Sequence, residues 1–259
     1  MTRGSFQGFL LAALLPIFVP TPGLAKLPPM AQRAADLYLQ ELVKVERSEK
    51  RISMEPLFVL ADSLDDGFFP SMLDYSPGNS PWTEQAIANY TAHSVEGLPE
   101  SELDSLRAAL RGVNIFVGDY VFTYLDTEFF LGLAESHGLP ADASFLKAYA
   151  GRDLGSESVQ DCVHFGTDLI VNQHGAWRDF RARHPKDYVS FAAEEDRNVI
   201  GQLMGTCACG DSASVESELD HFLGRFPNDP VAPQVRARLA SVRSGASDVT
   251  FNCPPPHYN

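Results

Sequence analysis

The chain has 259 residues, 44% apolar and 21% charged, which excludes wholesale disorder and leaves enough length for a substantial core. Its formal net charge is −14, and residues 54–160 hold 17 acidic side chains against 4 basic ones. That field repels phosphate backbones and anionic lipid, so nucleic-acid binding is disfavoured.

The chain opens with Arg3 followed by the apolar run Phe9 to Val19, and Gly23-Leu24-Ala25 precedes Lys26. A positive start, a short apolar core and small residues before a polar one predict a secretory signal peptide over residues 1–25. The run is too short for a stable membrane span, which takes about 20 apolar residues. The expected location is therefore periplasmic or secreted.

Residues 26–155 read as an acidic N-terminal helical region. Ala35, Tyr38, Leu42 and Val45 share one face of a helix predicted from Ala31 to about Ile52. A shorter helix is expected over Pro56 to Leu64. Asp65 to Pro81 is punctuated by Gly67, Pro70, Pro77, Gly78 and Pro81, which predicts a loop. Asp62, Asp65, Asp66 and Gly67 resemble a calcium loop, but Leu64 and Leu73 fall where oxygen ligands are needed, which favours simple solvation. A helix is expected from Trp82 to His93. Another opens at Leu98-Pro99-Glu100-Ser101, carries Leu103, Leu106 and Leu110 and closes at Arg111-Gly112.

Ile115 to His137 is the most apolar stretch after the signal, with Phe116, Tyr120, Phe122, Leu125, Phe129, Phe130 and Leu133. Apolar residues on nearly all sides predict one helix at the centre of a bundle. On it Asp119, Thr123 and Asp126 would form a stripe. Asp119 and Asp126 are the weak catalytic candidates, able to bind a cation or share acid–base work if that stripe is not merely solvated. Asp142 to Ala150 is expected to be a short helix.

Residues 156–259 read as a C-terminal helical region holding Cys162, Cys207, Cys209 and Cys253. An even count in an exported chain predicts disulfides, with one of Cys207 and Cys209 joined to Cys162 and the other to Cys253. A zinc site from Cys162, His164, Cys207 and Cys209 is the alternative, against which the one-residue spacers count. The reading therefore assigns no metal and no cofactor. Helix is expected through Gln173, then a turn at His174-Gly175, a helix over Ala176 to His184, and another from Asp187 to Met204. Trp177 and Phe180 beside Arg178, Arg181 and Arg183 form a basic, aromatic patch. It either docks an anion or is an amphipathic helix with its rings buried.

Two helical patterns, Ser214–Phe226 and Val231–Val242, flank Pro227-Asn228-Asp229-Pro230. The string Phe222-Leu223-Gly224-Arg225-Phe226-Pro227-Asn228-Asp229-Pro230-Val231-Ala232, within residues 214–243, resembles the helix–turn–helix of tetratricopeptide-type repeats found in bacterial envelope proteins. That resemblance implies a protein-binding surface rather than chemistry.

The expected fold is all-α: a disulfide-linked helical bundle ending in a helix–turn–helix hairpin. The expected function is an exported protein-binding or adaptor module whose partner is another envelope protein. Two alternatives stand beside it. One is an envelope hydrolase or cation-dependent enzyme using Asp119 and Asp126. The other is a small-ligand carrier with a cleft lined by Tyr120, Tyr124 and Trp82.

Overall fold

A computed structural model describes residues 27–68, 95, 98–117, 121–151, 162–247 and 249–251. The signal segment, Trp82, Asp119, Tyr120 and Cys253 lie outside the described residues, as does the helix expected over Trp82 to His93.

The fold is mainly α-helical. Helix α1, Pro29–Glu46, starts with proline in its first turn, where the missing N–H costs nothing. It buries Ala31, Ala35, Tyr38, Leu42 and Val45, the face that the periodicity predicts. Helices α2, Glu55–Asp62, and α3, Leu64–Phe68, pack against it. Asp62 and Asp65 therefore belong to these helices. The Asp65 carboxylate accepts the Thr123 backbone N–H at 2.7 Å. The stretch from Asp65 to Phe68, expected as the start of a loop, is helical, and the rest of that expected loop lies outside the described residues.

Helix α4, Glu100–Ala109, buries Leu103 and Leu106. It is followed by Gly112 at φ +82°, where an added Cβ would collide with the Phe129 ring. Only glycine suits both that backbone and that approach. The central helix expected from Ile115 is not formed at its start. Strands β1, Val113–Val117, and β2, Val121–Leu125, pair antiparallel with Val113 opposite Leu125 and Phe116 opposite Phe122. Val113, Ile115 and Leu125 point inward, while Phe116 and Tyr124 are exposed. This period of two replaces the helical one. Helix α5 occupies only Thr127–His137.

Helix α6, Pro140–Ala150, packs on α5. Helix α7, Leu169–Arg183, runs unbroken through His174-Gly175, where a turn was expected. Glycine in a helix costs about 1 kcal/mol relative to alanine. Here it admits a neighbour: a Cβ on Gly175 would meet Arg225 Nη2 at 2.8 Å and Phe226 Cζ at 3.3 Å. Helix α8, Val189–Leu203, pairs with α7. Helices α9, Ser212–Arg225, and α10, Ala232–Arg243, form the expected terminal hairpin, with α9 also against α7.

The short strands β3 (Val163–His164), β4 (Cys207–Cys209) and β5 (Thr250–Phe251) form a parallel sheet in that order. Cys162 and Cys209 are joined as a disulfide across 47 residues. Cys207 is also disulfide-bonded, and its partner lies outside the described residues.

The core centres on the rings of Phe58, Phe130, Phe145, Trp177, Phe180 and Tyr188, all buried. Phe145 and Tyr188 stack with centroids 3.9 Å apart. Such pairs contribute about 0.5–1.5 kcal/mol beyond the area they bury.

Candidate functional site

The site is built on α7. Its first turn is held by a carboxylate from another helix: buried Glu218 of α9 accepts the N–H groups of Gly166, Asp168 and Val171 at 2.9, 3.0 and 3.2 Å. Helix N-termini leave such donors unpaired and favour negative charge beside them. Asp168, the N-cap, takes a left-handed φ of 60° and pairs through its own carboxylate with His221. The register of α7 against α9 is therefore fixed by backbone bonds.

On that helix His174, Arg178 and Arg181 stand at i, i+4 and i+7, on one face. His174 is 2% exposed. Its Nδ1 lies 2.8 Å from Asp196 Oδ1 of α8 and its Nε2 lies 3.1 Å from Asp229 Oδ2 of the α9–α10 turn. Arg178 Nη1 donates to Asp229 Oδ2 at 2.5 Å and Arg181 Nη1 donates to Asp196 Oδ2 at 2.8 Å. Five charged or ionisable groups from three elements thus form one chain: Arg181, Asp196, His174, Asp229, Arg178. Asp229 also accepts the Val231 N–H at 3.0 Å. Burial pushes the Asp229 carboxyl up, but the Val231 N–H, the His174 ring and the Arg178 guanidinium outweigh it and hold the group below the usual carboxylate range.

This network floors a cleft of about 580 Å³. One wall is apolar, from Val189, Ala193, Ile200 and Val231, and Pro185 and Pro230 also line the cleft. Arg178 and Arg181 line it half-exposed, and the Arg178 guanidinium also stacks 5.2 Å from the Phe226 ring. His184 and Asp187, 4.0 Å apart, also line it.

The chemistry follows from occupancy. Both nitrogens of His174 face carboxylates, so neither is available to take a proton from a bound substrate. Each carboxylate carries two charged or ring partners. The arrangement holds shape and presents guanidinium edges beside apolar carbon.

The other candidates are distributed elsewhere. Asp126 is the N-cap of α5: its Oδ1 accepts the Phe129 N–H at 3.0 Å. Thr123 sits on β2, so no single helical stripe runs from residue 119 to Asp126. Tyr124 faces outward from the hairpin, 46% exposed. The zinc tetrad is not formed, because Cys162 and Cys209 spend their sulfurs on each other. His164 is exposed on β3. Of the basic, aromatic patch, Trp177 and Phe180 are buried, as an amphipathic helix requires. Arg178 and Arg181 line the cleft, while Arg183 turns back to the Asp179 carbonyl.

The sequence reading missed His174, Asp196 and Asp229 as a set. The one local signal was the spacing of His174, Arg178 and Arg181, which marks a polar face only if α7 is continuous. Comparison with models of known protein families, with curated proteins and with solved structures returned no match.

Proposed function

We propose that this chain is an exported helical protein that works by binding another protein, in the periplasm or outside the cell. The single observation that carries the reading is the cleft between α7, α8 and the α9–α10 turn, whose buried histidine has both nitrogens engaged. A polar floor already paired within itself is suited to recognition by shape and hydrogen bonding rather than to proton transfer. The two successive helix pairs, α7–α8 and α9–α10, pack through α7 and α9, an arrangement that supports the likeness of residues 214–243 to tetratricopeptide-type hairpins. Export is supported by the signal-like start and by the Cys162–Cys209 disulfide, a bond that persists in oxidising compartments.

The test is photo-cross-linking in cells that express the protein. A benzophenone amino acid replaces Ala193 in the cleft wall, and a second variant carries it at exposed Ser217 as a control. The reading expects a discrete cross-linked protein from position 193, lost when Arg178 and Arg181 are both changed to glutamate. Equal, diffuse labelling from both positions would overturn it.

A further inference from the structure

Resting on the reading of this cleft as a binding surface, we infer that His174 is a pH-operated clasp that couples α8 to the α9–α10 turn. The ring bridges two elements, α8 and the α9–α10 turn, through Asp196 and Asp229. A doubly protonated ring donates to both carboxylates at once. A neutral ring has one N–H and one lone pair, so it donates to one carboxylate and turns the lone pair on the other. At 2.8 or 3.1 Å the second contact then changes from a charge-assisted bond to a repulsion. Protonation closes the clasp and deprotonation releases one side.

Among the described residues, the groups that face the ring come from α7, α8, α9 and the turn. Asp196 comes from α8 and Asp229 from the turn. Arg178 and Arg181 of α7 bind those carboxylates. From α9 the ring meets Phe222 and Phe226, with centroids 5.2 and 4.9 Å away. Arg225 of α9 stacks on the same Phe226 and bonds Asn172. At 2% exposure the imidazole has no water to replace a lost carboxylate bond. Release therefore moves the wall, since Asp229 also fixes Val231 through its backbone N–H.

The free protein tests this without any partner. Across neutral pH, NMR follows the His174 ring, the Ala193, Ile200 and Val231 methyl groups, and hydrogen exchange at the Val231 amide corrected for its intrinsic rate. The clasp predicts one shared midpoint for ring and methyls, and Val231 exchange faster by roughly tenfold on the alkaline side. Asp196→Ala, which removes the α8 arm and leaves His174 in place, abolishes the shared response, as does His174→Gln. A wall that never moves, whether or not the ring titrates, overturns the clasp. So does a response that survives Asp196→Ala. Cross-linking from position 193 that persists while the wall is still would sink the clasp and leave the binding reading standing. A titrating wall with no cross-link would do the reverse.

Discussion

The hydroxyl of Tyr188 donates to Oδ1 of Asp142 at 2.5 Å, in the middle of the core. The same carboxylate accepts the N–H groups of Met54 at 3.0 Å and Leu139 at 2.6 Å. Met54, Leu139 and Tyr188 are the residues that precede α2, α6 and α8. One buried carboxylate thus ties the starts of three helices, and it sets where α8, and with it Asp196, meets α7.

Tyr188→Phe keeps the stack on Phe145 and removes only the O–H, so it isolates this bond. The expected loss is about 1–3 kcal/mol, because a buried carboxylate loses a donor. Chemical denaturation measures it. In a double-mutant cycle with Asp142→Ala the loss in the double variant should fall short of the sum of the two single losses, since both substitutions remove the same contact.

Asp142 and Asp229 pull the pH dependence of stability in opposite directions. Burial raises the Asp142 carboxyl, against the Tyr188, Met54 and Leu139 hydrogen bonds. Its contribution is therefore fully present below the unfolded value, about 3.9, and is lost as pH rises through the higher folded value. Asp229 is held low, so its contribution is present above about 3.9 and is lost as pH falls through the lower folded value. Thermal melts from acid to neutral pH should show Asp229→Asn flattening the acid limb. Asp142→Asn should remove a loss that the wild type shows on the rise from acid toward neutral pH. Parallel curves for all three proteins would contradict both assignments.

Gly112→Ala should destabilise by about 1–3 kcal/mol, the usual range for a strained backbone position. The φ of +82° disfavours any side chain, and the Phe129 ring blocks the space. Gly224→Ala, at a helical glycine with nothing near its added Cβ, should be neutral or stabilising. Equal effects at the two sites, by urea denaturation, would contradict the account of the α4–β1 turn.

Peptide mapping without reduction should recover Cys162 joined to Cys209. With Cys207 also bonded, the count of four leaves Cys253 as its expected partner, and the β4–β5 pairing of Cys207 with Thr250 brings the chain to within three residues of it. Reducing the Cys162–Cys209 bridge should cost about 4 kcal/mol, the loop-closure entropy for a separation of 47 residues. Recovery of free Cys207 would contradict the pairing.

Much of the helical frame was legible in local pattern. The buried face of α1 follows from Ala35, Tyr38, Leu42 and Val45, and the terminal hairpin from Leu219, Phe222, Val235 and Leu239 around a proline turn. The β1–β2 hairpin was not. Aromatic and branched residues on every side of Ile115–Leu125 look alike in a buried helix and in a hairpin with exposed Phe116 and Tyr124. The Gly118-Asp119 dipeptide between two β-rich runs was the available turn signal. Gly175 misled for a different reason: its role is to admit Arg225 and Phe226, a tertiary contact that local propensity does not carry. The site itself was least legible, because His174, Asp196 and Asp229 are brought together only by the packing of α7, α8 and the turn.

The binding claim is tested most directly by measuring the affinity of the protein recovered by cross-linking for the wild type and for a variant that fills the cleft. Ala193→Trp fills the cleft at its apolar wall and adds no charge beside Asp196. Calorimetry should show affinity weakened at least about tenfold with an unchanged melting profile, the effect of blocking a central contact. Undiminished affinity in that folded variant would contradict the claim that the partner sits in this cleft.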